Sequence, residues 1–306
     1  MKKGQTGTYL VYLFLVLPML FWGTSYVFTS IALHTLDPIS IIFIRLLLSS
    51  AMLWLFIAVF CRKEKIPRSV FKWIVLLAFL EPFIYFIGET YGLQHVSPVV
   101  TSLIISTIPV FTAIVMRCFF HARLSWVNFA GIFISLAGVV IMITENDRQL
   151  AVDLPGILFL MLALFSAVGY GILLNKLASD VHPVWLIAFQ NTCGVLFFLP
   201  LLFLLGQTPD FNHPVVIASL SAESEMWICI ILLSVFSSSL AFIFYSIGVG
   251  RLGIARCNVF TNLIPVFTAL TSFFLLDERF SSAKIAGIVV VLLGLILTQI
   301  KLKIEN

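Results

Sequence analysis

The sequence predicts an all-α polytopic membrane protein, with ten transmembrane helices arranged as two inverted-topology repeats of five. Three observations lead to this prediction: an apolar composition, a succession of ten apolar runs, and a long internal repeat. Apolar residues make up 61% of the 306 positions and charged residues only 10%, whereas soluble domains are about half apolar and a quarter charged. A water-soluble fold could not cover so much apolar surface, so the excess is expected to face lipid.

The ten apolar runs are each about as long as a bilayer crossing requires. A transmembrane helix needs roughly 20 predominantly apolar residues, because it rises about 1.5 Å per residue through the hydrocarbon core. The segments predicted on this rule are 9–31, 38–60, 71–92, 97–117, 126–144, 155–177, 183–205, 226–249, 254–275 and 281–301. Prolines inside them, such as Pro82 and Pro109, are tolerated because neighbouring helices bind the carbonyl groups that the prolines free.

The internal repeat relates the two halves of the chain. The run Ile108-Pro109-Val110-Phe111-Thr112-Ala113 returns as Ile264-Pro265-Val266-Phe267-Thr268-Ala269, 156 positions later. The same register pairs Gly92 with Gly248, Arg123 with Arg279, Gly131 with Gly287 and Gly138 with Gly294. So long a period relates two halves rather than solenoid units. We therefore predict a first repeat at 1–145 and a second repeat at 150–303, each with five helices.

The distribution of lysine and arginine predicts the orientation in the membrane. With the amino terminus in the cytoplasm, the inner side carries fourteen of these residues and the outer side only Arg148, Arg279 and Lys284, as the positive-inside rule requires. Both termini are then cytoplasmic. Because five is an odd number, the two repeats have opposite orientations, which is the arrangement of carriers that work by alternating access.

Several classes of protein and site are not expected. No G-x-x-x-x-G-K phosphate loop is present, so ATP is not expected to act directly, and no basic tract with interleaved aromatic residues suggests nucleic-acid binding. The five histidines have no metal-ligand spacing, and the five cysteines have neither metal-ligand nor C-x-x-C spacing. We therefore expect no metal, no cofactor and no disulfide. Short connections leave no room for a soluble catalytic domain, so an enzyme is not expected, and a membrane-embedded enzyme is the weakest alternative.

Short motifs occur in a fixed order along both halves. They are Trp22-Gly23-Thr24-Ser25, Asp37-Pro38, Arg45, Gly92-Leu93, Ser97-Pro98, Pro109-Val110-Phe111-Thr112 and Gly131 to Gly138, then Pro265-Val266-Phe267-Thr268, Asp277-Glu278-Arg279 and Gly287 to Gly294. This order resembles the EamA type of the drug/metabolite transporter superfamily, a group of ten-helix bacterial carriers, over nearly the whole chain. One departure is His121-Ala122-Arg123, where the family's acidic-Glu-Arg turn would stand. The resemblance implies a multi-pass protein of the bacterial inner membrane that exports small metabolites, often amino acids, through a central cavity.

Three ionisable residues, Arg45, Glu81 and Glu89, are predicted well inside the membrane, and Lys176 lies nearer a helix end. Such side chains cost several kcal/mol in lipid, so they are expected to face the interior of the bundle. Arg45 and Glu89 have similar predicted depths, so they either form a structural ion pair or meet a substrate carboxylate or ammonium group. Glu81 or Glu89 is a candidate for carrying a coupling proton. The alternative for Glu81 is a carboxyl group hydrogen-bonded to the backbone opened near Pro82.

Aromatic, amide and hydroxyl side chains complete a candidate substrate pocket. Each alone is more often a contact between helices than a ligand contact, but together they supply a few polar groups among aromatic walls. Besides the three ionisable residues, the predicted substrate-binding residues are Trp22, Tyr26, Tyr170, Gln190, Asn191, Ser238, Tyr245, Asn258 and Asn262.

The function that these observations favour is a secondary carrier that exports small metabolites such as amino acids by alternating access. Its expected partners are a small-molecule substrate, protons as a possible coupling ion, and the lipid bilayer, with the chain a monomer or a weak homodimer. The alternative within the same fold is a flippase or exchanger of lipid-linked or sugar-nucleotide-type substrates. A flippase would require a lateral opening between helices.

Overall fold

The computed structural model describes residues 3–61, 68–120, 126–143, 153–205, 220–258, 260–278 and 281–299. These residues are helical except at short connections, and no β-strand is found among them. The predicted all-α class is therefore confirmed.

In the described part of the chain, helices follow the ten predicted apolar segments. Consecutive helical segments that are separated only by a short interruption are given one helix number. The helices are α1 Lys3–Ala32, α2 Pro38–Phe60, α3 68–93, α4 98–120, α5 Trp126–Ile143, α6 Leu154–Leu177, α7 Pro183–Leu205, α8 220–252, α9 254–275 and α10 Ser282–Gln299.

Seven helical stretches of the described residues are long and apolar enough to cross a membrane. They are Phe14–Ala32, Pro38–Phe60, Ser69–Leu93, Pro98–Val115, Leu154–Leu177, Pro183–Leu205 and Ser224–Leu252. Phe260–Leu275 and Ile285–Gly294 are shorter apolar helices. The predicted loops that contain Arg123, Arg148 and Arg279 lie outside the described residues.

Two of the short motifs are helix starts. The carboxylate of Asp37 accepts hydrogen bonds from the backbone N–H groups of Ile39 and Ser40 at 3.0 and 3.1 Å, and Pro38 occupies the first turn of α2. Ser97 caps α4 in the same way, again followed by a proline. A capping side chain satisfies a free backbone N–H group, and proline fits the first turn because it has no N–H group to satisfy.

Helix α3 is interrupted near the middle of its apolar stretch, Ser69–Leu93. Its parts are Arg68–Ala78, a π-helical segment Phe79–Ile84, and Tyr85–Leu93. Glu81 has extended backbone angles, with φ −142° and ψ 119°, and it precedes Pro82. The Ser166 hydroxyl of α6 donates to the Leu80 carbonyl at 2.6 Å, so a neighbouring helix satisfies the backbone near the break, as lipid requires.

Helix α8 contains a similar interruption, a π-helical segment at Leu233–Ala241. Here the helix satisfies its own backbone, because the Ser239 hydroxyl donates to the Ser234 carbonyl at 2.8 Å. Both interruptions turn polar residues toward the centre of the bundle.

The helices that surround the centre pack closely at glycines. A Cβ atom added at Gly23 of α1 would lie 2.7 Å from the Cβ of Phe267 and 2.8 Å from the carbonyl oxygen of Ile264, both in α9. The Thr268 hydroxyl donates to the Gly23 carbonyl at 2.8 Å. Small residues of this kind let membrane helices approach backbone to backbone. The motif around Gly23 therefore sets the distance between α1 and α9.

Candidate substrate site

A cavity of about 70 Å³ lies at the centre of the bundle, walled by α1, α2, α3, α4, α6, α8 and α9. Eight of the twelve residues predicted from the sequence line it: Trp22, Tyr26, Arg45, Glu81, Glu89, Tyr170, Tyr245 and Asn258. The other four, Gln190, Asn191, Ser238 and Asn262, are buried outside the cavity wall.

Arg45 is the cation of the cavity and is 1% exposed. Its Nε atom donates to the Ser238 hydroxyl at 2.9 Å and its Nη2 atom to the Ser237 hydroxyl at 3.3 Å. The guanidinium carbon lies 4.2 Å from the centre of the Phe86 ring, within the range of a cation–π interaction. The Nη1 atom has no hydrogen-bond partner among the described residues. Neutral groups therefore hold the guanidinium through Nε and Nη2, and the hydrogen-bonding capacity of Nη1 is unused.

A polar network behind the wall holds those serines in place. The Asn191 amide donates to the Ser49 hydroxyl and to the Ser238 carbonyl, both at 2.8 Å. The hydroxyls of Ser49 and Ser239 lie 2.6 Å apart. Asn191 and Ser238, predicted as ligand contacts, thus lie in the structure that positions Arg45, linking α2, α7 and α8.

Two buried carboxyl groups share the cavity with Arg45. Glu89 is 2% exposed, Glu81 is 7% exposed, and the Oε1 atom of Glu89 has no hydrogen-bond partner among the described residues. Within the described part of the chain, Arg45 and Glu89 do not form an ion pair within 4.0 Å. The structural ion pair considered from the sequence is therefore not formed in this conformation.

Glu81 lies at the interruption of α3, with its side chain in the cavity wall. One sequence-based interpretation was a carboxyl group bonded to the backbone opened near Pro82. In the structure the hydroxyl of Ser166 bonds the nearby Leu80 carbonyl. The Glu81 carboxyl group instead contributes to the polar lining of the cavity.

Seven aromatic residues line the cavity, and contacts with neighbouring side chains fix several of them. The hydroxyls of Tyr26 and Tyr85 lie 3.2 Å apart, and the Tyr245 hydroxyl donates to the Asn258 amide oxygen at 2.8 Å. The Trp22 ring meets the Tyr245 ring edge-on at 5.0 Å between centroids. These contacts leave a cavity with aromatic sides and a few fixed polar groups, as small-molecule sites have.

Gln190 is one contact removed from the cavity. The Tyr170 hydroxyl donates to its amide oxygen at 3.4 Å, and its Nε2 atom has no hydrogen-bond partner among the described residues. Gln190 therefore supports the cavity wall through Tyr170.

Several lining residues were not in the predicted set: Ser25, Tyr85, Phe86, Thr112, Ser237, Phe242 and Thr261. One signal could have found Tyr85, because Glu81, Tyr85 and Glu89 are spaced four residues apart and such residues share one face of a helix. No sequence signal distinguishes Ser237 from Ser238, since the interruption of α8 decides which serine meets the cavity.

No group of three or more His, Cys, Asp or Glu side chains that could hold a metal ion is found among the residues described. The polar chemistry of the cavity thus comes from one guanidinium, two carboxyl groups, hydroxyls and an amide.

Apolar helices around a buried cavity with charged groups define a multi-pass membrane protein with an internal site. The sequence profile of the EamA-like transporter family matches residues 9–144 and 154–300. The chain belongs to this family, as the order of its motifs indicated, and the family's members are transporters.

Individual relatives agree with this assignment. A protein of Archaeoglobus fulgidus described as an uncharacterized transporter is 25% identical over 296 residues, which cover 95% of this chain and 97% of the relative. The "Probable amino-acid metabolite efflux pump" of Escherichia coli (strain K12) is 22% identical over 285 residues, which cover 92% and 91%. A crystal structure of a protein with 17% identity superposes with a TM-score of 0.69 over 95% of this chain and 98% of its own. That superposition shows a shared fold.

Proposed function

We propose that the protein is a secondary transporter that moves small zwitterionic metabolites, amino acids among them, by alternating access through the central cavity. One observation carries this proposal. Arg45 and Glu89 are buried in the wall of one cavity without pairing with each other, and each has an atom with no hydrogen-bond partner among the described residues. Buried charges of this kind are costly unless a partner satisfies them. A substrate with a carboxylate and an ammonium group supplies both partners.

The geometry of Arg45 favours a carboxylate. Its Nε and Nη2 atoms are held by two serines. A carboxylate that binds Nη1 would therefore meet a guanidinium that is already fixed, and binding would cost little further side-chain freedom. A guanidinium–carboxylate hydrogen bond is charge-assisted and therefore strong. Glu89 and Glu81 are the candidates for the ammonium group, with the aromatic wall against the rest of the substrate.

The size of the cavity supports a mechanism with more than one conformation. Pockets for small molecules have volumes of about 300–1,000 Å³, whereas this cavity has about 70 Å³. A substrate therefore requires the wall to widen. Movement of the helices that open the cavity to one side of the membrane would provide this space.

Two inverted repeats are supported by the positions that line the cavity. Five pairs separated by 156 residues both line it: Glu81 with Ser237, Phe86 with Phe242, Glu89 with Tyr245, Ile105 with Thr261, and Ile108 with Ile264. Two similar halves that face each other across an axis in the membrane plane would produce this pairing. The two stretches matched by the family profile support the same division, with repeats at 1–145 and 150–303.

We also propose a topology and a location: the protein crosses the inner membrane of a bacterium ten times, with both termini in the cytoplasm. Seven crossings are supported by length and apolarity in the described residues, and α5, α9 and α10 are the three further crossings. The name of the Escherichia coli relative favours outward transport. Glu81 or Glu89 is proposed to carry a coupling proton, since each is buried in the cavity that binds substrate.

A flippase of lipid-linked or sugar-nucleotide-type substrates is the second candidate function. It is favoured by a groove between α1 and α8 that reaches the cavity wall. A membrane-embedded enzyme has no comparable support, since the family and its relatives are transporters.

Uptake into proteoliposomes tests the proposed function. Purified protein would be reconstituted and given a panel of radiolabelled amino acids and nucleosides, with and without a pH gradient. We expect saturable uptake of amino acids that the gradient increases, and no uptake of nucleosides. Uptake limited to nucleosides, or no amino-acid uptake above that of empty liposomes, would contradict the zwitterion proposal.

A further inference from the structure

A groove of about 220 Å³ opens on the outside of the bundle between α1 and α8. Its lining residues are Leu20, Phe21, Thr24 and Phe28 of α1 with Leu232, Phe236 and Ser237 of α8. Phe236 is 37% exposed, and nearby Ile228 and Ile231 are more than half exposed. Exposed apolar side chains on a membrane helix face the acyl chains of the bilayer, so the groove opens toward lipid.

The groove and the central cavity meet at one residue. Ser237 lines both of them, and its hydroxyl accepts the hydrogen bond from Nη2 of Arg45. On the α1 side, Phe21 lines the groove while the next residue, Trp22, lines the cavity. The partition between a lipid-facing groove and the charged cavity is therefore one residue thick.

An aromatic pair lies across the groove beside this partition. The rings of Phe21 and Phe236 are 5.1 Å apart between centroids and inclined by 49°. Each ring belongs to a different helix, so a rotamer change of either ring would widen the groove, and a small separation of α1 and α8 would then join the groove to the cavity. Rotamer changes of partly exposed side chains are fast compared with a transport cycle.

We propose that this groove is a lateral portal, through which the protein takes amphipathic substrates with a charged head and a single apolar chain. The head lies in the cavity beside Arg45, and the chain passes Ser237 and lies in the groove, where it displaces the contact between the Phe21 and Phe236 rings. This substrate class rests on the proposed function for the head and extends it for the chain.

Two features of the groove favour a substrate chain as its occupant. The groove has about 220 Å³ against about 70 Å³ in the cavity, so most of the space on the two sides of the partition would suit apolar groups once the partition opens. The groove also ends at the residue that binds Arg45, so an apolar chain lying there places its own polar end at the guanidinium.

The portal is tested by delivering a reagent from the bilayer. In a variant without its native cysteines, Ser237→Cys would be treated in nanodiscs with N-dodecylmaleimide, which partitions into lipid. Thr112→Cys, in the cavity wall but not in the groove, is the matched control for burial. Leu48→Cys, on the exposed surface of α2, reports the reagent present in the bilayer. We expect Ser237→Cys to be labelled faster than Thr112→Cys.

A bulky substitution that fills the groove, called a plug here, then tests whether the reagent reaches Ser237→Cys through the groove. Thr24→Trp fills the groove from α1 without belonging to the cavity wall. Because overpacking opposes opening, it is expected to slow labelling of Ser237→Cys by about tenfold or more, with Leu48→Cys unchanged. Leu20→Trp is the second plug if the first variant does not fold. Equal labelling of Ser237→Cys and Thr112→Cys, or labelling of Ser237→Cys that neither plug slows, would overturn the portal.

A second measurement separates the portal from the proposed function. Competition of amino-acid uptake by α-amino acids with progressively longer linear alkyl side chains is expected to strengthen with chain length, and the plug is expected to remove that gain. Competition that does not strengthen with chain length would overturn the assigned substrate class. Bilayer labelling without any amino-acid uptake would leave the portal in place and contradict the zwitterionic head. Amino-acid uptake together with labelling that the plugs do not slow would contradict the portal and leave the proposed zwitterionic head in place.

Discussion

Arg45 is a buried cation whose hydrogen-bond partners in the described structure are neutral. Two serine hydroxyls and the Phe86 ring hold it, and the buried carboxyl groups of the same cavity form no ion pair with it among the described residues. An internal ion pair would have to be broken before a charged substrate could bind. Neutral support orients the guanidinium and avoids that competition, which suits a group that must bind and release substrate in each cycle.

Replacing Arg45 tests whether its shape or only its charge matters. Lysine keeps the charge but has no planar fork to bind both serines, so Arg45→Lys is expected to raise the half-saturation concentration about tenfold. Arg45→Gln removes the charge and is expected to cost roughly 3 kcal/mol or more of substrate binding free energy. This loss corresponds to an increase of about a hundredfold in the half-saturation concentration. Concentration-dependent uptake in proteoliposomes measures both. An unchanged half-saturation concentration in Arg45→Gln would exclude contact with a substrate carboxylate.

Replacing Glu81 and Glu89 one at a time distinguishes which of them carries the coupling proton. Glutamine keeps the size of the side chain but cannot carry a proton, so the coupling residue should lose stimulation by a pH gradient when it is replaced. Exchange of labelled for unlabelled substrate needs no net proton movement and should persist in that variant. Gradient-driven uptake is the measurement and exchange is the control. Stimulation that survives Glu→Gln removes that residue as the proton carrier.

At the scale of elements, the interruptions of α3 and α8 decide which side chains reach the cavity. In α3 the break is at Glu81, and in α8 it includes Ser237. Each break frees backbone groups that lipid cannot satisfy, and serine hydroxyls bond the carbonyls of Leu80 and Ser234. Serines at these places therefore maintain the shape of the cavity even where they do not line it.

The contribution of Ser166 can be measured by removing its hydroxyl. Ser166→Ala leaves the Leu80 carbonyl without this partner, and hydrogen bonds between membrane helices are worth about 0.6 kcal/mol on average, with a maximum of roughly 1.7 kcal/mol. We expect a loss of stability in this range, measured by reversible unfolding in mixed micelles. Ser179→Ala is the matched control, because its hydroxyl bonds the exposed Asp180 next to it. Equal stabilities of the two variants would contradict this role of Ser166.

Glycines at helix crossings give a second test at this scale. A Cβ atom at Gly88 of α3 would lie 2.5 Å from the carbonyl oxygen of Phe159 in α6, which is backbone and cannot move aside. Gly88→Ala is therefore expected to cost about 1–3 kcal/mol or to prevent folding.

The matched control for that crossing is Gly169→Ala in α6. Its added Cβ atom would meet only the flexible end of Leu80, at 3.3 Å. Folded yield and thermal unfolding in detergent compare the two variants. Similar behaviour of both would show that α3 and α6 are not held at the distance described.

At the scale of the whole molecule, the two halves supply different chemistry to one cavity. In the register of 156 residues, Glu81 and Glu89 correspond to Ser237 and Tyr245, and all four line the cavity. In the second helix of each half, the correspondence is counted from the helix start. Arg45 lies seven residues after the proline that starts α2, and Gln190 lies seven residues after the proline that starts α7. The charged groups thus come from the first half and their neutral counterparts from the second, so a charged substrate would meet a polarised site.

The proposed inverted repeat predicts the sides of the membrane on which two loops lie. Residues 124 and 280 occupy equivalent positions in the two halves, so tags inserted there should be accessible from opposite sides of the membrane. Labelling of intact cells and of inverted vesicles with an impermeant reagent measures this. Tags at both termini, expected in the cytoplasm, serve as the control. Tags at 124 and 280 on the same side would contradict the inverted repeat.

The sequence by itself predicted the all-helical membrane class, the helix positions and the charged residues of the candidate cavity. Composition and run length are sufficient for the first two, because lipid demands continuous apolar helices. Ionisable residues at membrane depth are expected to face the interior of the bundle, and for that reason the sequence alone predicts Arg45, Glu81 and Glu89 as cavity residues.

Only the tertiary structure decided how those residues are used. Arg45 binds Ser237 and Ser238 of α8, 192 and 193 positions away, and periodicity within α2 carries no information about that partner. The break in α8 selects Ser237 for the cavity and leaves Ser238 behind it. The groove between α1 and α8 likewise depends on the spacing of two helices from opposite ends of the chain. Local pattern reports which way a side chain faces within its own helix, whereas packing determines what it meets.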